Sequence, residues 1–327
     1  MKINIPEVMD LESILKFCGN IDNLDQDEEY VYDYAKLKRA EPFGMLLLSS
    51  KIRNFVDNTR DSNHKDINFK NDKYVTKYIA HMGFFQSVYQ NYGKVPGEAK
   101  GSKTYIPITE LNFDDIRNDG EDPYAYIEKT SKAIAGILAC NDNNLKDYLK
   151  YSTRELIRNV FEHSESKNFW YVGQYWRSKN IVEVAILDEG IGMQNSFKRN
   201  KKISVTSDEE AIKLAIEPGI SRSGIGREGR EIYDNNGLGL YMISNFCKIG
   251  GDIAICSGKN CLLINDSGTK SFDTSFNGTA IRIRFNSNRM GKISDIIREL
   301  SQKGTEDAKE YKKLNRIDIN KILLYNN

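Results

Sequence analysis

The strand-like run Val182 to Leu187 passes without a spacer into Asp188-Glu189-Gly190-Ile191-Gly192-Met193. A carboxylate is thereby placed at the end of a strand, with two glycines after it. The glycines allow backbone to approach a flat ligand, and Asp188 can then accept a hydrogen bond from an amino group such as that of adenine. Taken alone, the pattern is equally a turn.

Three further patterns stand around it. In Arg154-Glu155-Leu156-Ile157-Arg158-Asn159-Val160-Phe161-Glu162-His163 the residues Glu155, Asn159 and His163 are four apart. At about 100° per residue they drift only some 40° per step and form one row on a helix, bordered by Leu149, Leu156 and Val160. On this helix alone, solvation of its surface is the simpler account of Asn159 and His163. Asn235-Asn236-Gly237-Leu238-Gly239-Leu240 opens a later helix whose first N–H groups suit a polyphosphate. Asn277-Gly278-Thr279 enters a last strand, where Thr279 can reach the same pocket.

Length and composition set the frame. A chain of 327 residues suits two folded units. With 47 basic and 46 acidic residues there is no overall field to attract nucleic acid or an anionic membrane. No apolar run approaches the roughly 20 residues that span a bilayer. The start, Met1 to Pro6, lacks the apolar core of a signal peptide, so a cytoplasmic location is expected. The five cysteines form no C-x-x-C pair, and neither zinc nor disulfides are indicated.

Along the chain, strands are predicted at Tyr30 to Leu37, His64 to Lys70 and Lys103 to Ile108, and helices from Glu41 to about Thr59 and from Lys73 to Tyr89. Residues Thr109 to Pro123 turn acidic and rich in Gly, Asp and Asn, which places a boundary there. The expected units are 1–112, 113–288 and a charged, helical tail at 289–327. Within the second, helices are predicted at Pro123 to Cys140, Asn144 to Ser164 and Gly237 to Lys248. Strands are predicted at Phe169 to Trp176, Asn180 to Leu187, Asp252 to Ser257, Cys261 to Asn265 and Thr279 to Phe285. Met193 to Asn236 reads as a long loop with one helical piece near Asp208 to Ile216, as lids do. Its Gly224-Ile225-Gly226-Arg227-Glu228-Gly229 follows polar Ser221-Arg222-Ser223 and so fails the context of a dinucleotide fingerprint.

The four patterns in this order resemble the GHKL ATPase superfamily of type II topoisomerases, heat-shock chaperones, histidine kinases and mismatch-repair proteins. Glu155-x-x-x-Asn159 is similar to its N-box, Asp188-x-Gly190-x-Gly192 to its first glycine box, Gly237-x-Gly239 to its second and Gly278-Thr279 to its last. The likeness covers roughly residues 120 to 286. It implies a two-layer α+β sandwich that binds ATP and Mg²⁺. Asn159 would hold the Mg²⁺, and Asp188, Gly190, Gly192, Met193, Gly237, Leu238, Gly239, His163 and Thr279 would line the nucleotide. Arg222 and Arg227 of the lid would close on the phosphates. Glu155 stands where hydrolysing members carry their general base, help worth roughly 10²- to 10⁴-fold.

The first unit, a small α/β layer, resembles STAS domains in its strand-turn-helix, Tyr30 to Leu48, which implies a protein partner. Glu41, Pro42 and Phe43 stand where phosphorylatable members carry Ser or Thr. The implied function is an ATPase acting as a conformational switch on a partner protein; a homodimer is compatible with it. The alternatives are a Ser/Thr kinase of the anti-sigma type, suggested by His163, and a module that senses ATP without turnover.

Overall fold

The computed structural model describes residues 1–98, 103–118, 120–199, 203–221, 224–225, 238–292, 295–300, 302–304 and 306–307. It opens with strands β1 (Lys2–Asn4) and β2 (Val8–Met9). Asp10 accepts a hydrogen bond from the Ser13 amide at 3.0 Å and so starts helix α1 (Leu11–Ile21). Leu11, Ile14, Leu15, Cys18 and Ile21 make its buried face. This helix lies outside the sequence expectation. Strands β3 (Glu29–Asp33) and β4 (Arg39–Ala40) lead to helix α2 (Pro42–Asn58), with Pro42 in its first turn, and then to β5 (Asn63–Ile67). The single helix expected from Lys73 to Tyr89 is two, α3 (Tyr74–His81) and α4 (Phe84–Ser87). Gly83 separates them at a φ of 85°, in the left-handed region.

Strands β1, β3 and β5 pair in parallel in the order β1-β3-β5. The following elements are β6 (Tyr105–Asn112), α5 (Phe113–Asn118), α6 (Pro123–Leu138), α7 (Asn143–Asn159), β7 (Asn168–Trp176) and β8 (Ile181–Asp188). After them come α8 (Gly192–Lys198), α9 (Asp208–Ala215), β9 (Ile220–Ser221), β10 (Gly224–Ile225), α10 (Gly239–Gly250), β11 (Gly251–Asn265) and β12 (Gly268–Asn286). A second, antiparallel sheet has the order β11-β12-β8-β7-β6. The expected break at 112 thus follows the edge strand of this sheet. The two strands expected at 252–257 and 261–265 are one, β11, with a bulge at Ser257 and Gly258, and β12 begins eleven residues before Thr279. The fold is mixed α and β. Among the described residues no helix is long and apolar enough to cross a membrane.

Both faces of the antiparallel sheet are covered, so its central strands are apolar on successive residues. Val184, Ile186, Ile253, Ile255, Ile281 and Ile283 join a core with Leu149, Leu156, Ile243 and Phe246 of α7 and α10. Ala185, Leu187, Ala254, Cys256 and Ala280 face the other way and share a core with α1 and α2. Helix α2 lies within that second core, and thirteen of its seventeen residues are buried. Its first turns are buried all round, so Pro42 to Leu48 are apolar without a break, whereas Asp57 and Asn58 at its end are exposed.

Polar contacts fix where α2 lies on the sheet. The Glu183 side chain is fully buried, accepts the Phe43 amide at 2.9 Å and pairs with Arg284, whose Nε lies 2.9 Å away. Arg284 also donates to Glu41 at 2.8 Å. Glu183 and Arg284 face each other across β8 and β12. The two carboxylates keep the Arg284 guanidinium charged despite its burial.

The start of α2 meets β2 at Gly44, where an added Cβ would overlap the Met9 carbonyl oxygen. Gly44→Ala is therefore expected to destabilise the protein by about 1–3 kcal/mol in chemical denaturation. An unchanged midpoint would mean that α2 and β2 can separate freely.

Candidate functional site

Helix α7 starts at Asp142, whose carboxylate accepts the Leu145 amide at 3.1 Å. Its Leu145, Tyr148, Leu149, Leu156 and Ile157 hold it on the sheet, and this packing presents its C-terminal turns at the end of β8. There the helix widens into a π turn, Val160–Ser164, with the Ser164 hydroxyl donating to the Val160 carbonyl at 2.7 Å. Turns of this type occur often at functional sites. The even four-residue row read from the sequence therefore ends at Asn159, and His163 is carried on a wider turn.

The loop after β8 packs directly on this turn. Ile191 N donates to the Ser164 carbonyl at 2.9 Å, and a side chain at Gly190 would overlap the same oxygen. Gly192 has a φ of 72°, and a Cβ there would stand 2.9 Å from the Ser257 hydroxyl. That hydroxyl accepts the Met193 amide and donates to the Gly278 carbonyl, each at 2.9 Å. Gly278 in turn is pressed against the Asp188 carbonyl and has a φ of 101°. Ser257 thus ties the two glycine turns together. The sequence reading passed over it; its only signal is a hydroxyl after Ile253-Ala254-Ile255-Cys256 in an apolar strand.

These elements enclose a cavity of about 880 Å³, part of it open to solvent. Asn159, His163, Asp188, Gly192, Met193, Gly239 and Thr279 line it together. Gly190 lies on the far side of the same loop, facing a second groove, and Leu238 precedes the first residue of α10. Arg222, Arg227 and Gly237 lie outside the described residues. The segment expected as a mostly unstructured lid contributes α8 and α9, and their Ser196, Phe197 and Ala215 form one wall. Asp208, at the start of α9, accepts the Lys259 amide at 2.9 Å and so anchors this wall to the bulge of β11.

Apart from Ser164, the rest of the lining is apolar, including Leu156, Val160, Ile186, Leu240 and Ile281. Against it stands Asp188, 2% exposed, with its Oδ1 accepting the Gly190 amide at 2.9 Å. Burial pushes its carboxyl up to about 7, and the amides of Gly190 and Thr279 oppose that rise. The cavity thus sets a buried carboxylate acceptor among apolar side chains.

Glu155 is placed differently. Its carboxylate turns to the guanidinium groups of Arg154, at 3.1 Å, and Arg158, at 3.8 Å. It still borders the site, because a Cβ on Gly239 would lie 2.9 Å from its Oε2. The glycine at the start of α10 lets that helix end approach α7 here. His163 Nε2 is 3.9 Å from the Glu162 carboxylate.

Compared with protein-family models and with curated protein sequences, the chain matches none.

The Asp188 carboxyl has a folded pKa above its ordinary 3.8, so it binds a proton on folding. Its contribution to stability is whole below about pH 4 and is lost as pH rises through about 7. Asp188→Asn keeps an acceptor for Gly190 without the charge. Thermal unfolding of the two proteins should show the mutant gaining on the wild type from pH 5 to pH 8; a constant difference would mean that Asp188 ionises freely.

Proposed function

We propose that the cavity binds ATP with Mg²⁺ and that the chain is a GHKL-type ATPase, a nucleotide-driven switch acting on a partner protein. The observation that carries this reading is the buried Asp188 carboxylate set among apolar side chains, with Gly192, Gly278 and Thr279 crowded around it. An exocyclic amino group on a flat ring satisfies that acceptor, and the close glycine backbone leaves room for the ring. The N-terminus of α10, beginning at Gly239, would receive the phosphates through its first N–H groups.

Mg²⁺ is commonly held by one or two carboxylates and completes its shell with phosphate and water; here a side-chain amide oxygen would take the carboxylate's place. Asn159 would supply that oxygen, and the ion would offset charge on the phosphates. His163, on the π turn, would line the phosphate side. Arg222 and Arg227 would approach from the lid. Glu155 would accept a proton from the attacking water. The STAS-like likeness of the first unit supports a protein partner on that side of the molecule.

One observation favours a second reading, ATP binding without turnover. Two guanidinium groups lie against the Glu155 carboxylate and occupy it in this arrangement. Hydrolysis would need that carboxylate to leave them.

Equilibrium titration with Mg-ATP tests the site. Asp188→Asn should weaken binding on the order of 10- to 100-fold, as removal of a charged hydrogen-bond partner does, and equal affinity would sink the assignment. Phosphate release separates the readings: Glu155→Ala should retain binding and lose turnover. A wild type that binds ATP but releases no phosphate would establish the second reading, and labelled phosphate on a partner would establish a kinase.

A further inference from the structure

The loop that carries Asp188 is gripped from both faces. Alternation along β8 sends Asp188 into the cavity and Glu189 to the opposite face, toward α2. There Glu189 Oε1 accepts from Arg53 at 2.6 Å and from the Ser50 hydroxyl at 2.5 Å. Arg53 is itself held on every side. Its guanidinium lies 4.0 Å from the centre of the Trp170 ring, donates to the Ser87 carbonyl at 3.0 Å and to the Ser49 hydroxyl at 3.4 Å, and is only 7% exposed. Trp170 sits on β7 opposite Leu187, one residue before Asp188.

We infer that Arg53, with Ser50, is a positioning residue for the nucleotide site: the N-terminal layer sets the shape of the loop 188–192 by holding Glu189. The inference rests on the nucleotide reading for its functional consequence. Arg53 touches no part of the cavity that would hold the ligand, so it acts through the loop alone. A rigid guanidinium fixed by a ring, a carbonyl and a hydroxyl gives Glu189 one position. With Glu189 fixed, the Asp188 carboxylate and the Gly190 amide it accepts are oriented before any ligand arrives, which removes an ordering cost from binding.

The same arrangement makes the coupling reciprocal. Whatever ligand fixes Asp188 must also favour the Glu189 contact, and any displacement of α2 must weaken the ligand. The Trp170 indole, pressed against the Arg53 guanidinium, lies where this exchange can be seen. The chain has two tryptophans, so Trp176→Phe leaves Trp170 as the only reporter.

The test compares Glu189→Gln with the wild type, both in the Trp176→Phe background. Glu189 is more than one-third exposed, so its amide variant keeps the fold even if Arg53→Met does not. We expect Glu189→Gln to bind Mg-ATP roughly tenfold more weakly, the scale of coupling within one hydrogen-bonded network. Hydrogen exchange at 188–193 should be faster in the unliganded variant. The shift in Trp170 emission that Mg-ATP causes in the reference protein should be lost. Ser50→Ala should move all three readouts in the same direction by less. Wild-type affinity together with unchanged exchange at 188–193 in Glu189→Gln would overturn the inference. A reference protein that binds no Mg-ATP would remove the nucleotide reading, and the exchange comparison would then still decide whether Arg53 holds the loop.

Discussion

A carboxylate buried without a partner costs several kcal/mol, and Glu183 is fully buried. It is satisfied only where Arg284 of β12 and the Phe43 amide at the start of α2 converge on it. The positive end of the α2 dipole adds to the attraction. Apolar contact between α2 and the small side chains of Ala185 and Ala280 would tolerate sliding. The charge at Glu183 does not, so it fixes the register of the first layer on the second. Loss of Arg284 would leave the Glu183 charge buried without its ion pair.

The same strand carries that constraint to the cavity. With a side-chain period of two, Glu183, Ala185, Leu187 and Glu189 look toward α2, whereas Val184, Ile186 and Asp188 look toward α7 and α10. Two acidic groups of β8 and its loop therefore hold the layers together, and a third is left for the cavity. A one-residue slip would exchange these roles entirely. The docking of α2 and the placement of Asp188 are one structural decision.

Much of this was legible locally. Period and end signals located α2, α7, β7 and β8, and the glycines at 190, 192, 239 and 278 stand where side chains would collide with backbone, with the Ser257 hydroxyl or with Glu155. What was not legible depends on distant partners. Ser257 gains meaning only because Met193 and Gly278 arrive from elsewhere in the chain. The π turn after Asn159 breaks a spacing that reads as regular. Strand β6 looks like the end of the first unit until β7 pairs with it. Helix α1 is a different failure, since Asp10 and the apolar spacing after it were available signals. The orientation of Glu155 toward Arg154 and Arg158 follows from packing that no motif specifies.

The burial of α2 has a consequence in time. The helix is translated before the strands that cover it, and Phe43 waits 140 residues for Glu183. At about 5–20 residues per second, the ribosome takes on the order of 10 s to supply that strand. Throughout the interval the side of α2 that will lie on β7 and β8 has no sheet to cover it. A nascent chain with such a helix is a natural client for chaperones that recognise exposed apolar segments, and its final layer closes only when β12 brings Arg284.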